Sequence, residues 1–399
     1  MASTVLAQKD QAQKIIYTLS GEKYFGRGYV KKGDYKAAQF IRKQFQQYGL
    51  QPLSGSWLQK FQHPVNRFNG DVYVKIDQQV YRAGYDYLVH PQSAASHRKF
   101  PIAMADSTDL LGRLAAGSDS CFVVSRSSFD ALRKELMPLL FQIQKGAIII
   151  LENKKLTWGV GTSAFGIPVV ELYDTLFNRQ SQQVTLIIDA SFNANYQSNN
   201  VVGFLPGKVK PDSLIVITAH YDHLGGMGKN TYFPGANDNA SGVAMLLSLA
   251  QYYAIQKNNR YSILFIAFAA EEAGLKGSEY FVEHPMVSLS HIRFLINLDL
   301  LGTGDDGIMV VNATEFPNDF EMLKSINDEK KFVKQIGQRG KARNSDHYYF
   351  SEKGVPSFFI YTLGGVTWYH DVLDRAETLP LTRFDEVFNL LTAFIHQLQ

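Results

Sequence analysis

Four apolar runs in the second half of the chain stop on polar, chemistry-bearing positions, and this pattern limits the folds open to it. Leu214 to Ala219 stops at His220, Ile263 to Ala269 leads to Glu271 and Glu272, and Phe294 to Leu298 stops at Asp299. Ser357 to Tyr361 is the fourth run. Between them, Gly242 to Tyr253 carries Val243, Leu246, Leu247 and Ala250 at helical spacing, and Phe384, Val387, Phe388, Leu391 and Ile395 mark a closing helix. Continuous apolar strands alternating with helices predict an α/β fold, a three-layer α/β/α sandwich on a mostly parallel mixed sheet. Ligands of such sheets gather at the carboxyl ends of the strands, where His220, Glu271, Glu272 and Asp299 fall.

The first half reads differently. Ala38, Ile41, Phe45 and Tyr48 give a helix over 34–48, with Asp34 as its cap and Gly49 as its stop. From Gly70 to Ser191 short apolar stretches such as Val72 to Ile76, Ala147 to Leu151, Pro168 to Leu172 and Val184 to Ile188 are broken by Gly, Ser and Pro. This predicts a smaller β-rich domain over 70–191, inserted between an N-terminal part, 1–69, and the larger remainder, 192–399. A chain of 399 residues has room for both.

Charge narrows the partners. A formal net charge of +3 leaves no electrostatic footprint for nucleic acid, and no apolar run reaches the roughly 20 residues of a membrane span. Cys121 is the single cysteine, so no intrachain disulfide or thiolate cluster is available, and its apolar neighbours predict a buried thiol. The small, apolar opening Ala2 to Gln8 is expected to be the end of an export signal otherwise absent from this sequence, which predicts a periplasmic or secreted location.

Six segments supply metal-type side chains in order: Ala219–Asp222, Asn237–Gly242, Ala270–Gly274, Asn297–Asp299, Ser345–His347 and Tyr369–Asp371. Two cations held side by side need imidazole nitrogens and carboxylates from several loops, with one carboxylate able to bridge. His220 and Asp222 form a His-x-Asp pair after a strand, Asp222 being placed to fix the imidazole tautomer. Asp238 precedes a helix and reads either as its N-cap or as the bridging acid. Glu271 and Glu272 end an apolar run, as a solvated pair or as a base beside a ligand. Asp299 is a turn acid or the terminal ligand next to His220, and His370 an exposed loop histidine or the ligand completing the second metal. His223 is expected at the surface and His347 in support of its loop. His63, His90, His97, His284, His291 and His396 receive no role.

With those residues assembled, the chain resembles the co-catalytic zinc aminopeptidases of the M28 peptidase family over about residues 195–399. The resemblance implies two zinc ions per chain, one held by His220, Asp238 and Asp299, the other by Asp238, Glu272 and His370. It implies Glu271 as general base, Asp222 as the orienting partner of His220, a cis peptide at Asp238–Asn239, and Tyr361 as a donor to a developing oxyanion. The substrates it implies are peptides cut at the amino end, with Trp368 and Tyr369 lining the pocket. The inserted region, notably Lys145 to Ile149 and Gly166 to Val170, is similar to a protease-associated domain. Ala270 departs from a frequent Gly, and Asp371-Val372 and Asp374-Arg375 depart from the usual pattern after the last histidine. A carboxypeptidase using Arg343 or Arg375 for a terminal carboxylate, or a glutaminyl-cyclase-type acyltransferase, would share the fold. The intact Asn237–Gly242 segment speaks against the cyclase, and the full ligand set against a non-catalytic relic.

Overall fold

The structure, a computed structural model, describes residues 6–399. Segment 2–8, read as the end of an export signal, falls largely outside them. Two helices open the described chain, α1 (Leu6–Leu19) and α2 (Gly33–Tyr48). Ala38, Ile41 and Phe45 are fully buried on the predicted face of α2, and Gly49 ends it at φ 83 with its N–H on the Gln46 carbonyl. Asp34 is not the cap. It lies inside the first turn, buried, where its carboxylate accepts hydrogen bonds from the Tyr196 hydroxyl at 2.9 Å and Ser198 Oγ at 3.3 Å.

The first strand, β1 (Leu58–Ile76), leads into the inserted region: β2 (Gln79–Tyr81), β3 (Tyr87–Val89), β4 (Ser96–Met104), α3 (Leu110–Ala115), β5 (Cys121–Ser125), α4 (Arg126–Ala131), α5 (Arg133–Leu140), β6 (Ala147–Glu152) and β7 (Val169–Tyr173). β8 (Gln183–Leu205) returns antiparallel to β1, from Ile76 opposite Val184 to Leu58 opposite Val201. The expected boundaries at 69/70 and 191/192 therefore both fall inside strands of one ribbon. The region also contains helices that the sequence reading did not anticipate. Leu110, Leu114, Phe129, Leu136 and Leu140 on α3 to α5 pack over Phe122, Val124, Ile148 and Ile150. Each of these helices is too short to show a clear helical period. Cys121 is buried, as expected.

The rest of the chain alternates: β9 (Lys210–His220), α6 (Gly242–Gln256), β10 (Tyr261–Phe268), α7 (Lys276–Glu283), β11 (Ile292–Leu298), β12 (Gly307–Val311), α8 (Pro317–Lys330), β13 (Ile336–Gln338), α9 (His347–Glu352), β14 (Ser357–Leu363) and α10 (Phe384–Leu398). The sheet runs β13-β12-β14-β11-β9-β10-β8. It is parallel through β14, β11, β9 and β10, and antiparallel where β8 and β12 join. Successive residues of β10 serve two cores. Ile263, Phe265 and Ala267 belong to the core shared with α1, α2, α6, α8 and α10, whereas Leu264, Ile266 and Phe268 belong to the one shared with α7 and α9. A strand buried on both faces is the physical content of a continuous apolar run, and it makes the three layers. Among the described residues no helix is long and apolar enough to cross a membrane.

Candidate metal centre

The carboxyl ends of β9, β10 and β11 open on one side of the sheet, and the loops there carry the candidate ligands. His220 is the last residue of β9, Glu271 and Glu272 follow β10, Asp299 follows β11, and His370 lies in the loop after β14. Asp238 precedes α6 without capping it: Asn239 Oδ1 accepts from Gly242 N at 2.9 Å instead, which leaves the Asp238 carboxylate free. The Asp238–Asn239 peptide is cis. Ala270 adopts φ 56, a left-handed conformation that favours glycine, so an Ala where Gly is frequent keeps the turn at a cost of about 1 kcal/mol.

Two triads share Asp238. His220 Nε2 lies 3.4 Å from Asp238 Oδ1 and 3.3 Å from Asp299 Oδ1. His370 Nε2 lies 3.2 Å from both Asp238 Oδ2 and Glu272 Oε2. Charge-assisted hydrogen bonds are shorter, at about 2.7–2.9 Å. Atoms bound about 2.0–2.1 Å from one tetrahedral zinc stand roughly 3.3 Å apart. The four separations match edges of two coordination polyhedra. Asp299 Oδ1 is moreover buried without a hydrogen-bond partner, while Oδ2 accepts from Ser345 Oγ at 3.1 Å. Both imidazoles are oriented from behind. His370 Nδ1 donates to the Trp158 carbonyl at 2.8 Å and His220 Nδ1 to the Asp222 carbonyl at 3.2 Å, which turns each Nε2 toward the carboxylates.

The electrostatics ask for cations. His370 is pushed up to about 11, because Glu272 and Asp238 outweigh the burial that opposes its charging, and His220 is raised well above its ordinary range in the same way by Asp299 and Glu271. Burial and the neighbouring Glu272 raise Glu271 well above the usual carboxylate range. So many acids in a dry site are stable only with positive charge among them. The residues therefore fit two divalent cations, and mixed imidazole and carboxylate donors suit zinc.

Some predicted positions are corrected. His223 is fully buried, not a surface residue, and its Nδ1 donates to Glu272 Oε1 at 2.8 Å, on the carboxylate oxygen turned away from His370. Its place three residues after His220 was the available signal. The Asp222 carboxylate stands 3.8 Å from His220 Nδ1, beyond hydrogen-bond reach; it accepts instead from the backbone N–H groups of Glu271 and Glu272 and from the Tyr29 hydroxyl. Asp222 thus aligns the two glutamates, and holds His220 through its main-chain carbonyl. His347 is buried against Phe359 and away from the carboxylates.

Other supports carry no sequence signal. Asp374 accepts the backbone N–H groups of Asn237 and Asp238 at 2.9 and 3.0 Å. Arg27 is fully buried and donates to five main-chain carbonyls, including that of Asp238 at 3.0 Å. The inserted region reaches in as well: Trp158 meets His370, and Lys155 Nζ donates to the Thr367 and Tyr369 carbonyls. Above the triads lies a cavity of about 230 Å³, walled by Leu300, Phe359, Tyr361 and Tyr369, with Glu271 at its floor. Tyr369 stacks on the His370 ring with centroids 3.8 Å apart. Trp368 does not line this cavity; its exposed ring faces the Lys155 ammonium.

Residues 200–395 match peptidase family M28. Aminopeptidase YwaD of Bacillus subtilis (strain 168) is 29% identical over 266 residues, which is 63% of this chain and 56% of that protein. A probable zinc metalloprotease of Pyricularia oryzae is 36% identical over 113 residues, 27% of this chain and 22% of that protein. The chain thus spans little more than half the length of the first of these relatives and less of the second. Among solved structures, BSAP, a zinc aminopeptidase from Bacillus subtilis, superposes with a TM-score of 0.74 at 23% identity over 97% of this chain and 94% of that one. A peptidase M28 precursor from Shewanella amazonensis gives 0.69 at 16% identity over 99% and 96%. These likenesses show the fold alone. Fold, ligand order and family match agree over residues 200–395, just under half of the chain, which are similar to peptidase family M28.

Proposed function

We propose that this protein is a zinc-dependent aminopeptidase that removes the N-terminal residue of peptides. The observation that carries the reading is the pair of triads meeting at Asp238, each at the spacing of ligands around one cation. His220, Asp238 and Asp299 would hold one zinc, and Asp238, Glu272 and His370 the other. When bound, zinc supplies Lewis acidity, which makes water nucleophilic near neutral pH and stabilises charge on the scissile carbonyl. Glu271 lines the cavity, and its carboxylate has no hydrogen-bond partner among the described residues. It is placed to take the proton of the attacking water and deliver it to the leaving amine. The Tyr361 hydroxyl accepts from Arg339, so its own hydrogen is free for the developing oxyanion. A cavity this size holds about one side chain, and its acidic floor attracts a free α-amine. Both favour cleavage at a chain end.

The two arginines expected to serve a carboxypeptidase do not line the cavity: Arg343 is bonded to Tyr349 and Arg375 to Tyr85. The test is zinc per chain, with chelator-sensitive release of a chromophore from aminoacyl anilides. Amino-blocked anilides cleaved as fast as free ones would refute the assignment.

A further inference from the structure

Besides its acids, the cavity is lined by hydrogen-bond donors that the chain leaves largely unused. Arg339, Asn344 and Tyr361 all line it. Arg339 follows β13 and is anchored at its base, its N–H on the Val310 carbonyl at 2.8 Å. Its guanidinium is anchored at the tip, where Nη1 donates to the Tyr361 hydroxyl at 3.0 Å. Among the described residues it has no carboxylate partner. Of its cationic neighbours, Lys341 pairs with Glu352, and Arg343 donates to the Tyr349 hydroxyl and does not line the cavity. The Tyr361 oxygen is occupied as an acceptor, so that group has only its hydrogen to offer inward. The Asn344 side chain makes no hydrogen bond among the described residues. The remaining guanidinium N–H groups, a hydroxyl hydrogen and an amide thus stand unpaired beside a peptidase centre, with Leu300 and Phe359 as the apolar stretch of the same cavity.

We propose that Arg339 and Asn344 in this wall receive a substrate carboxylate, with Arg339 as the specificity-determining residue and the Tyr361 hydrogen left for the oxyanion. Preferred substrates then carry a negative charge within one residue of the scissile bond. The charge is either the side chain of an N-terminal Asp or Glu, or the terminal carboxylate of a dipeptide. The planar fork of a guanidinium matches two carboxylate oxygens at once. A site of donors also disfavours the isosteric amide, which brings hydrogens of its own to the wall. Such a substrate is complementary to both sets of lining residues, its α-amine to the acids and its carboxylate to Arg339. Because Arg339 is solvent-exposed, the preference is moderate and salt-sensitive.

The inference rests on the aminopeptidase assignment, and one experiment separates the two. For the zinc-loaded enzyme, kcat/KM is measured for Glu against Gln anilides, Asp against Asn anilides, Ala-Ala against Ala-Ala amide, and a Leu anilide. An advantage of roughly tenfold for the acid of at least one pair, shrinking with added salt, is expected. An advantage in the anilides assigns the carboxylate to the first side chain, and one in the dipeptide to the terminus. Arg339→Gln brings the ratio to about one, and Arg339→Lys restores part of it; each ratio is internal to one protein and does not depend on the folded fraction. Calorimetric binding of L-glutamate against L-glutamine gives the comparison without turnover. Acid-to-amide ratios near one in every pair, with the Leu anilide cleaved, overturn this inference alone, as does an advantage that survives Arg339→Gln. Absence of zinc-dependent cleavage of every free-amine substrate overturns both readings.

Discussion

Arg27→Met is the substitution that most directly tests how the centre is held. The guanidinium lies more than 190 residues before the loops it braces and is wholly buried. Nε donates to the Tyr221 carbonyl at 2.8 Å, Nη1 to Leu19 at 3.1 Å and Pro234 at 2.7 Å, and Nη2 to Gly235 at 2.7 Å and Asp238 at 3.0 Å. All five donors are satisfied, the full capacity of the group. Burial lowers its pKa to about 10, with Asp238 and Asp374 opposing, so it stays charged at neutral pH. Methionine keeps much of the volume but leaves five carbonyls without that donor. Each orphaned buried group costs ~1–3 kcal/mol, and release of a buried cation returns several kcal/mol of desolvation. The carbonyls outweigh that return, for an expected net loss of about 5 kcal/mol, comparable to the whole stability of many domains.

Urea unfolding of zinc-free protein reads this loss as a lower midpoint at unchanged slope. Competition with a chromophoric chelator then reads zinc affinity on the fraction still folded, which falls because the Asp238 main chain is no longer fixed. Arg27→Lys, with three donors and no plane, recovers under half of the loss. A loss under about 1 kcal/mol for Arg27→Met, with zinc affinity unchanged, would refute the reasoning, because buried carbonyls stripped of their donor cannot be that cheap.

Three further outcomes follow from the same geometry. Glu271→Gln should bind zinc as the parent does, measured by metal analysis, yet lose about 10²–10⁴ in kcat; full turnover would remove Glu271 as the base. Lys155→Met frees the Thr367 and Tyr369 carbonyls and should weaken zinc retention by about 1 kcal/mol, seen as faster loss to a chelator at unchanged global stability. Asp34 is raised from 3.8 to about 6 by burial, against its hydrogen bonds from Tyr196. A carboxyl raised in the folded state stabilises below its unfolded pKa and loses that contribution as pH rises through the folded value. The stability gap between the parent and Asp34→Asn should therefore shift by about 2 kcal/mol in favour of the parent as pH falls from 7 to 4. A gap flat with pH, by urea midpoints, would count against the buried placement.

The layered fold and the positions of its strands were legible, because a strand buried on both faces must be continuously apolar and the runs at β9, β10, β11 and β14 are. His220, Glu272 and Asp299 stand where or just after such a run meets a loop, whereas Asp238, before a helix, and His370, in the loop beyond β14, carry no such mark. Asp34 shows the limit: next to a helix start it reads as a cap, and only the approach of β8 turned it inward. His223 shows it again, because nothing local says whether a loop histidine faces water or a glutamate. The inserted helices were missed for want of length.

By itself, then, the sequence determined which residue types are chemically able to hold cations and that His220, Glu272 and Asp299 stand at or just after strand ends, since periodicity and residue type are local properties. The tertiary structure alone decided which oxygen of each carboxylate faces which imidazole, that Trp158 from the inserted region orients His370, and that Arg27 and Arg339 stand behind and above the site. Those are contacts between segments far apart in the chain. They are set by packing and by the pairing of buried polar groups, which no window of sequence contains.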